Sequence, residues 1–210
     1  RVSKLIGINR AARTTCVKPA GTTSLVLGTS SGIHAWHNDY YIRRLRVGKN
    51  EAIYKYLVSK HPELVQDEYF RPHDTAVIEI PQSAPKGSIL RTESAFDLME
   101  RVKRVATDWV AVGHKGGSNT HNVSATISLK KEDWDKAGEW MWKNRDSYNG
   151  LSVLPYDGGT YTQAPFEDIT KKKFEELVKL LQDVNLENVM EQTDETDLSG
   201  ELACAGGSCE

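Results

Sequence analysis

Cys16-Val-Lys-Pro-Ala-Gly-Thr-Thr-Ser24 is the stretch around which the rest of the chain is organised. Thr14 to Val17 predict a short buried strand, and Lys18-Pro19 end it. Ala20-Gly21 predict a tight turn, after which three hydroxyl residues open an apolar segment, Leu25-Val-Leu27, that favours a helix. A strand, a turn and a helix start place several backbone N–H groups on one concavity at the positive end of the helix dipole. An anion such as phosphate is the natural ligand of such a concavity.

A plainer interpretation of the same stretch is an ordinary capped turn between a strand and a helix. The residues alone leave both interpretations open. The stretch is not a P-loop, because the spacing of glycine, lysine and hydroxyl residues that defines a P-loop is absent.

The bulk composition is that of an ordinary globular protein. The chain has 210 residues, with 27 basic and 29 acidic side chains and a net charge of −2, which argues against general nucleic-acid binding. We see no apolar run long enough to span a membrane and no signal peptide. The three cysteines then predict a reducing compartment and a cytoplasmic location. Because helical pattern follows Arg1 at once, we expect a fragment or a processed piece.

Strands and helices alternate along the chain, which predicts an α/β fold around a largely parallel sheet. We expect domain 1–189 to hold all of these elements. From Asp183 onward the chain has no lysine or arginine and few apolar residues, so residues 190–210 are predicted to be a flexible acidic tail. After the opening strand and turn, the predicted strands are 40–47, 75–80 (stopped by Pro81), 122–128 and 151–154. The longer predicted helices begin at Thr92 or Ser94, near Glu132, and at Asp168 or Thr170.

The predicted tail ends in a cysteine pair, Cys204-Ala-Gly-Gly-Ser-Cys209. The two glycines supply a turn that lets the thiols meet, but a disulfide on an exposed tail constrains almost nothing. Repeated thiol–disulfide exchange suits such a pair better. Half of a zinc site and two incidental thiols are the alternatives, and the tail has no histidine to complete a zinc site.

Three other features invite a chemical role and have plainer explanations. Cys16 fits a buried structural position. His34 and His37 have a spacing of three residues, but no acidic residues join them at metal-ligand spacing, so we predict loop structure or ligand contact and no metal. Arg43, Arg44, Arg46 and Lys49 are typical of a solvated strand face, with phosphate contact as the alternative.

Four stretches together resemble the C-terminal part of a ribonucleotide reductase large chain, most closely that of the adenosylcobalamin-dependent (class II) family. Thr15 to Ser24 resembles the family's substrate-phosphate loop, usually written with KPSGT at its centre. Ser31-Gly-Ile-His34 through Tyr40 to Arg46 resembles the segment that follows that loop. Asn122 to Ile127 resembles a later barrel strand, and Ala203 to Cys209 resembles the C-terminal shuttle cysteines. Their order and spacing cover nearly the whole chain.

The resemblance implies the C-terminal half of a ten-stranded α/β barrel with a flexible C-terminal tail. It implies conversion of ribonucleoside di- or triphosphates to deoxyribonucleotides by a cysteine thiyl radical generated with adenosylcobalamin. The substrate phosphates would be held by the backbone and hydroxyls of Ala20, Gly21, Thr22, Thr23 and Ser24. Cys204 and Cys209 would re-reduce the active-site cysteine pair and be reduced by thioredoxin or a similar dithiol. The N-terminal remainder of the reductase is the other implied partner.

The chain departs from the family pattern in two ways. Ala20 stands where the family often has serine, which removes a hydroxyl but no backbone N–H. The radical cysteine and its redox partners have no match, so we expect this chain to be inactive without an upstream portion. Two alternatives stay open: a fragment of an iron-dependent (class I) reductase, whose tyrosine pair Tyr40-Tyr41 superficially matches, and a non-catalytic phosphate-binding module.

Overall fold

The computed structural model describes residues 1–18, 20–117, 119–156, 158 and 161–191. These residues form two compact units. Arg1–Ala35 and Thr92–Tyr156 make the first unit. Trp36–Arg91 and the described residues from 158 to 191 make the second. The predicted α/β class is confirmed at this level, since both units combine helices with strands.

The first unit is built around a short parallel pair of strands. Its helices are α1 (Val2–Leu5), α2 (Gly21–Leu27), α4 (Ala95–Val105) and α5 (Trp134–Lys143), and its strands are β4 (Thr126–Leu129) and β5 (Ser152–Pro155). Strands β4 and β5 run parallel, with Ile127 opposite Val153. Short 3₁₀ turns cover Lys131–Asp133 and Arg145–Ser147, and a π-helix covers Ala106–Val110.

Apolar side chains from α4 and β4 form the core of the first unit. Met99, Val102 and Ile127 are fully buried, and Leu129 is almost so. Helix α4 begins at the predicted place because Ser94 and Asp97 form a reciprocal capping box, in which each side chain accepts a hydrogen bond from the other residue's backbone N–H. The amphipathic stripe of this helix therefore faces the strand as its spacing predicts.

The second unit is built around an antiparallel sheet with strand order β2-β3-β1-β6. Its elements are β1 (Tyr40–Gly48), α3 (Ala52–Lys60), β2 (Val65–Asp67), β3 (Thr75–Ser83), β6 (Phe166–Asp168) and α6 (Lys171–Leu181), with 3₁₀ turns at Pro62–Leu64 and Leu186–Asn188. Val47, Leu57, Ala76 and Ile78 form its apolar core.

The prediction of a largely parallel sheet is wrong for this larger sheet. A strand, a helix and a strand follow one another from β1 through α3 to β3, which is the pattern of a parallel crossover. The short strand β2 intervenes and pairs with β3 as a hairpin, and β3 then pairs antiparallel with β1. Strand direction was therefore decided by a three-residue strand whose sequence carries no clear alternation.

Two predicted boundaries also need correction. Strand β3 does not stop at Pro81 but continues to Ser83, with Pro81 opposite Ile42. Strand β2 pairs with β3 only from Ala76 to Ile78, so at Pro81 one edge of β3 has no neighbouring part of β2. On that edge the N–H that proline lacks would not have made a hydrogen bond to β2. The predicted strand 122–128 begins later, at Thr126, and Val123 instead makes an isolated bridge.

Candidate functional site

The segment that leads into the predicted phosphate loop is held by main-chain contacts within the first unit. The Thr14 N–H donates to the Gly113 carbonyl at 2.9 Å, and the Lys115 N–H donates to the Ala12 carbonyl at 2.9 Å. Val17 pairs in parallel with Val123. The predicted strand Thr14–Val17 is thus an extended segment with isolated bridges, because its polar groups are taken up one at a time by the chain after α4.

Helix α2 begins at Gly21, inside the predicted turn and one residue before the hydroxyl residues that were expected to open it. The Ser24 N–H donates to the Ala20 carbonyl at 3.1 Å, which makes it the first N–H with a partner inside the helix. The N–H groups of Gly21, Thr22 and Thr23 precede it, and helix geometry gives such groups no intrahelical acceptor. They are the donors that an anion at this turn would use.

The side chains at this turn differ in their exposure. Thr23 is exposed, whereas Ser24 is buried at 6% exposure and its N–H is already engaged. The helix ends at Leu27, with Gly28 in the left-handed region at φ 61° and the Thr29 N–H bonded to the Ser24 carbonyl. The assignment of Ala20 to Ser24 to phosphate stays a prediction, with Thr23 the better placed of the last two hydroxyls.

The three cysteines fall in different places. Cys204 and Cys209 lie outside the described residues, as does the predicted acidic tail beyond Glu191, so their redox role and the boundary at residue 190 stay predictions. Cys16 is exposed, which corrects the prediction that it is buried in a strand. The reason is that residues 13–17 make isolated bridges and do not lie inside a sheet.

The basic residues of β1 have acidic or aromatic partners within the second unit. Arg44 bonds Glu79 at 2.8 Å and also pairs with Glu167, while Arg46 lies 3.5 Å from Glu68. Burial of the Arg44 guanidinium would lower its pKa, but the hydrogen bonds to Glu167 and Glu79 outweigh burial and the pKa is raised. These contacts favour a structural role for the arginines over phosphate contact.

The two histidines that suggested a metal site lie in separate units, each with partners of its own. His34 accepts from the Thr126 N–H through Nε2 at 3.3 Å, and its Nδ1 lies 3.0 Å from the Ser31 carbonyl. His37 lies 3.1 Å from Asp168 and stacks on Phe166. Across the described part of the chain, no group of three or more His, Cys, Asp or Glu side chains is arranged to hold a metal ion.

The tyrosine pair of the iron-dependent alternative does not form a stacked relay. Adjacent residues of a strand point to opposite faces. Tyr40 packs against Phe174 with centroids 5.1 Å apart, whereas Tyr41 packs against His37 and Phe166. The geometry therefore weighs against a radical relay through these two rings.

One cavity among the described residues is too small to hold adenosylcobalamin. This cavity lies in the first unit and has a volume of about 160 Å³, below the roughly 300–1,000 Å³ of ordinary ligand pockets. Its lining includes Thr107, His121, Asp146 and Asn149. A corrin is much larger than this cavity.

The fold defines the class of protein that this chain resembles. It superposes on the crystal structure of a B12-dependent (class II) ribonucleotide reductase with a TM-score of 0.71 and 26% sequence identity. The superposition covers 90% of this chain and 25% of that chain. No family model matches the sequence.

Sequence similarity to particular enzymes indicates the same class. The chain is 29% identical over 215 residues to the adenosylcobalamin-dependent ribonucleoside-triphosphate reductase of Lactobacillus acidophilus, a match that covers 99% of this chain. It is 28% identical over 215 residues to the enzyme of the same name from Euglena gracilis. The chain spans 27% and 28% of the lengths of these two relatives. The resemblance predicted from the four motifs is confirmed.

Proposed function

We propose that this chain forms part of an adenosylcobalamin-dependent ribonucleotide reductase, which converts ribonucleotides to 2′-deoxyribonucleotides for DNA synthesis. The observation that carries the proposal is similarity over nearly the whole chain, in sequence to reductases of that name and in fold to a class II enzyme. The relatives' names favour a ribonucleoside triphosphate as substrate. Adenosylcobalamin is the proposed cofactor, as the names of the relatives imply.

In this proposal the turn before α2 binds the substrate phosphates. The N–H groups of Gly21, Thr22 and Thr23 point out of the first helical turn, and Thr23 adds an exposed hydroxyl. The main-chain contacts of Thr14 and Val17 fix the approach to this turn. Pre-positioned donors of this kind orient a substrate without reorganisation at the moment of reaction.

Cys204 and Cys209 are proposed as the electron shuttle. Reduction of the ribose oxidises a cysteine pair to a disulfide while the 2′-hydroxyl leaves as water. The tail dithiol then reduces that disulfide by thiol–disulfide exchange and becomes a disulfide itself. Thioredoxin or a similar dithiol donor restores the thiols, so each turnover consumes two electrons from the donor.

The proposed architecture is a half of the reductase's α/β barrel, completed by the remainder of the enzyme. The parallel pair β4–β5 supports this, because parallel strands normally belong to larger sheets that are covered on both faces. Leu154 of β5 is 51% exposed and Tyr156 just after it 61% exposed, as expected of a surface that another element covers. No helix among the described residues has the length and apolar character needed to cross a bilayer, and we propose a cytoplasmic enzyme.

The shuttle is tested by replacing Cys204 or Cys209 with serine in the reductase assembled with its remaining polypeptide. Each variant should lose turnover supported by thioredoxin and keep turnover supported by a small dithiol, because a small dithiol reaches the active-site disulfide directly. Deoxyribonucleotide formation with each reductant is the measurement.

Glu176→Gln is the control, since Glu176 lies at an exposed position of α6 in the second unit, outside the stretch Thr15 to Ser24. It should behave as the unsubstituted enzyme with both reductants. Normal turnover of both tail variants with thioredoxin would contradict the shuttle. Activity without adenosylcobalamin would contradict the cobalamin class.

A further inference from the structure

Residues 109–113, which follow α4, bind residues 14–16, at the start of the stretch that resembles the phosphate loop. The Thr15 hydroxyl donates to the Val110 carbonyl at 3.2 Å, and the Thr14 hydroxyl donates to the Gly113 carbonyl at 3.1 Å. In the opposite direction, the Trp109 indole N–H donates to the Cys16 carbonyl at 3.1 Å. We call residues 109–113 the seat of the loop.

The seat exists because α4 changes to a π-helix before it ends. The Ala111 N–H donates to the Ala106 carbonyl, five residues back, at 2.9 Å. The last carbonyls of a helix need hydrogen-bond donors from outside it, and here the Thr15 hydroxyl donates to the Val110 carbonyl. Single π-helical turns recur at functional sites because they re-aim the residues on one side of a helix. Here the widened turn presents Trp109 and Val110 to the extended segment.

Gly113 makes the fit between the two segments close. A Cβ atom at this position would lie 1.9 Å from the Thr15 Oγ1 and 2.7 Å from the Thr15 Cβ. Neither distance is tolerable, and the Thr15 Cβ belongs to the rigid part of its side chain. Any side chain at position 113 must therefore push residues 14–16 off the seat.

We propose that Gly113, Thr15 and Trp109 are positioning residues for the substrate phosphates. Thr15 lies only six residues before Gly21, where the N–H donors of α2 begin. Val17 is also held by its bridge to Val123, so the seat and this bridge together position the chain that leads into α2. The inference rests on the proposed function, because it assumes that the turn at residues 20–24 binds phosphate.

The test compares Gly113→Ala, Thr15→Val and Trp109→Phe in the assembled reductase, with a ribonucleoside triphosphate as substrate. We expect KM to rise roughly tenfold for Gly113→Ala, because this substitution displaces the groups that bind the phosphates. Thr15→Val and Trp109→Phe each lose one hydrogen bond, and their KM should rise about threefold. The kcat should stay within about twofold, since binding common to ground and transition state is what is lost. Thr15→Ser keeps the hydroxyl and should restore the normal KM.

Gly138→Ala is the matched control, because Gly138 lies in α5 and an added Cβ meets nothing within 4 Å. Its KM should be unchanged. If the unsubstituted enzyme is active and all three seat variants keep its KM while only their melting temperatures fall, the seat is merely structural and the inference is wrong. If the unsubstituted enzyme makes no deoxyribonucleotide, the proposed function fails first and the inference falls with it. Should Gly113→Ala fail to fold, the pair Thr15→Val and Thr15→Ser decides the question alone.

Discussion

The two units use polar groups in opposite ways. In the second unit the charged side chains of β1 are paired across the antiparallel sheet, with Arg44 joining Glu79 of β3 to Glu167 of β6. In the first unit the core around β4 is apolar, and main-chain and hydroxyl hydrogen bonds hold residues 12–17 against the chain after α4. Charges that are paired within a sheet contribute to the stability of the fold. A segment held by its backbone leads into the start of a helix in the first unit, and the first N–H groups of a helix are the donors that bind anions.

The largest effect should come from the apolar core of the first unit. Ile127→Ala removes a fully buried side chain between α4 and β4, and we expect a loss of roughly 4 kcal/mol in the free energy of unfolding. Four of the chain's five tryptophans, at positions 109, 134, 140 and 142, lie in this unit. Denaturation followed by tryptophan fluorescence therefore reports mainly on it.

Leu154→Ala is the control for this core, because Leu154 lies on the neighbouring strand and is 51% exposed. It should cost less than about 1 kcal/mol, since little apolar surface is buried there. Equal losses for Ile127→Ala and Leu154→Ala would show that β4 is not the centre of the unit.

A smaller loss is expected from the charged network of the second unit. Arg44→Met leaves Glu79, whose side chain is only 15% exposed, without its partner. Because Glu167 is half-exposed and water can solvate it, we expect the free energy of unfolding to fall by about 2–3 kcal/mol, less than for breaking a fully buried pair. Hydrogen exchange at the amides of β1 and β3 measures the change within this unit.

Arg71→Met provides the matched comparison, as Arg71 pairs with Asp74 on the surface of the same unit. An exposed pair contributes at most about 1 kcal/mol, so exchange rates in β1 and β3 should barely change. If Arg44→Met is equally mild, the network contributes nothing beyond surface charge and the contrast between the units disappears.

Local signals in the sequence predicted the helices well. The capping box at Ser94 and Asp97 and the cap at Thr170 fix the starts of α4 and α6 where they were expected. The four motifs predicted the relatives correctly. Strand direction was not predictable, since alternating elements suit parallel and antiparallel sheets alike until β2 is seen to pair with β3.

The seat was also beyond prediction from sequence. A π-helical turn has no propensity signal of its own, and the pattern from Phe96 to Trp109 fits an unbroken α-helix. Gly113 looks like an ordinary helix end, and only its closeness to Thr15, 98 positions away in the sequence, reveals the steric demand. Contacts between residues so distant in sequence leave no trace in local periodicity.

The smallest predicted effect concerns the buried carboxylate of the second unit. Burial would raise the pKa of Glu68, but hydrogen bonds from the Arg71 and Phe70 N–H groups, with Arg46 nearby, outweigh burial and hold it below its ordinary value of 4.5. A lowered folded-state pKa means that the unfolded chain binds more protons, so the contribution of Glu68 to stability is fully present above pH 4.5. It is lost as the pH falls through the folded-state pKa.

Glu68→Gln should therefore be less stable than the unsubstituted protein at pH 7, and the difference should shrink as the pH falls below 4.5. Urea denaturation between pH 7 and about pH 3 measures this difference, over a range in which folded proteins titrate such carboxylates. The neighbouring Asp74, whose pKa is lowered to about 2 chiefly by the hydrogen bond from Arg71, contributes equally to both proteins and cancels. Glu176→Gln, at an exposed position of α6, should give no such convergence. A Glu68→Gln deficit that stays constant down to pH 3 would mean that packing, and not the charge of this carboxylate, supports the loop between β2 and β3.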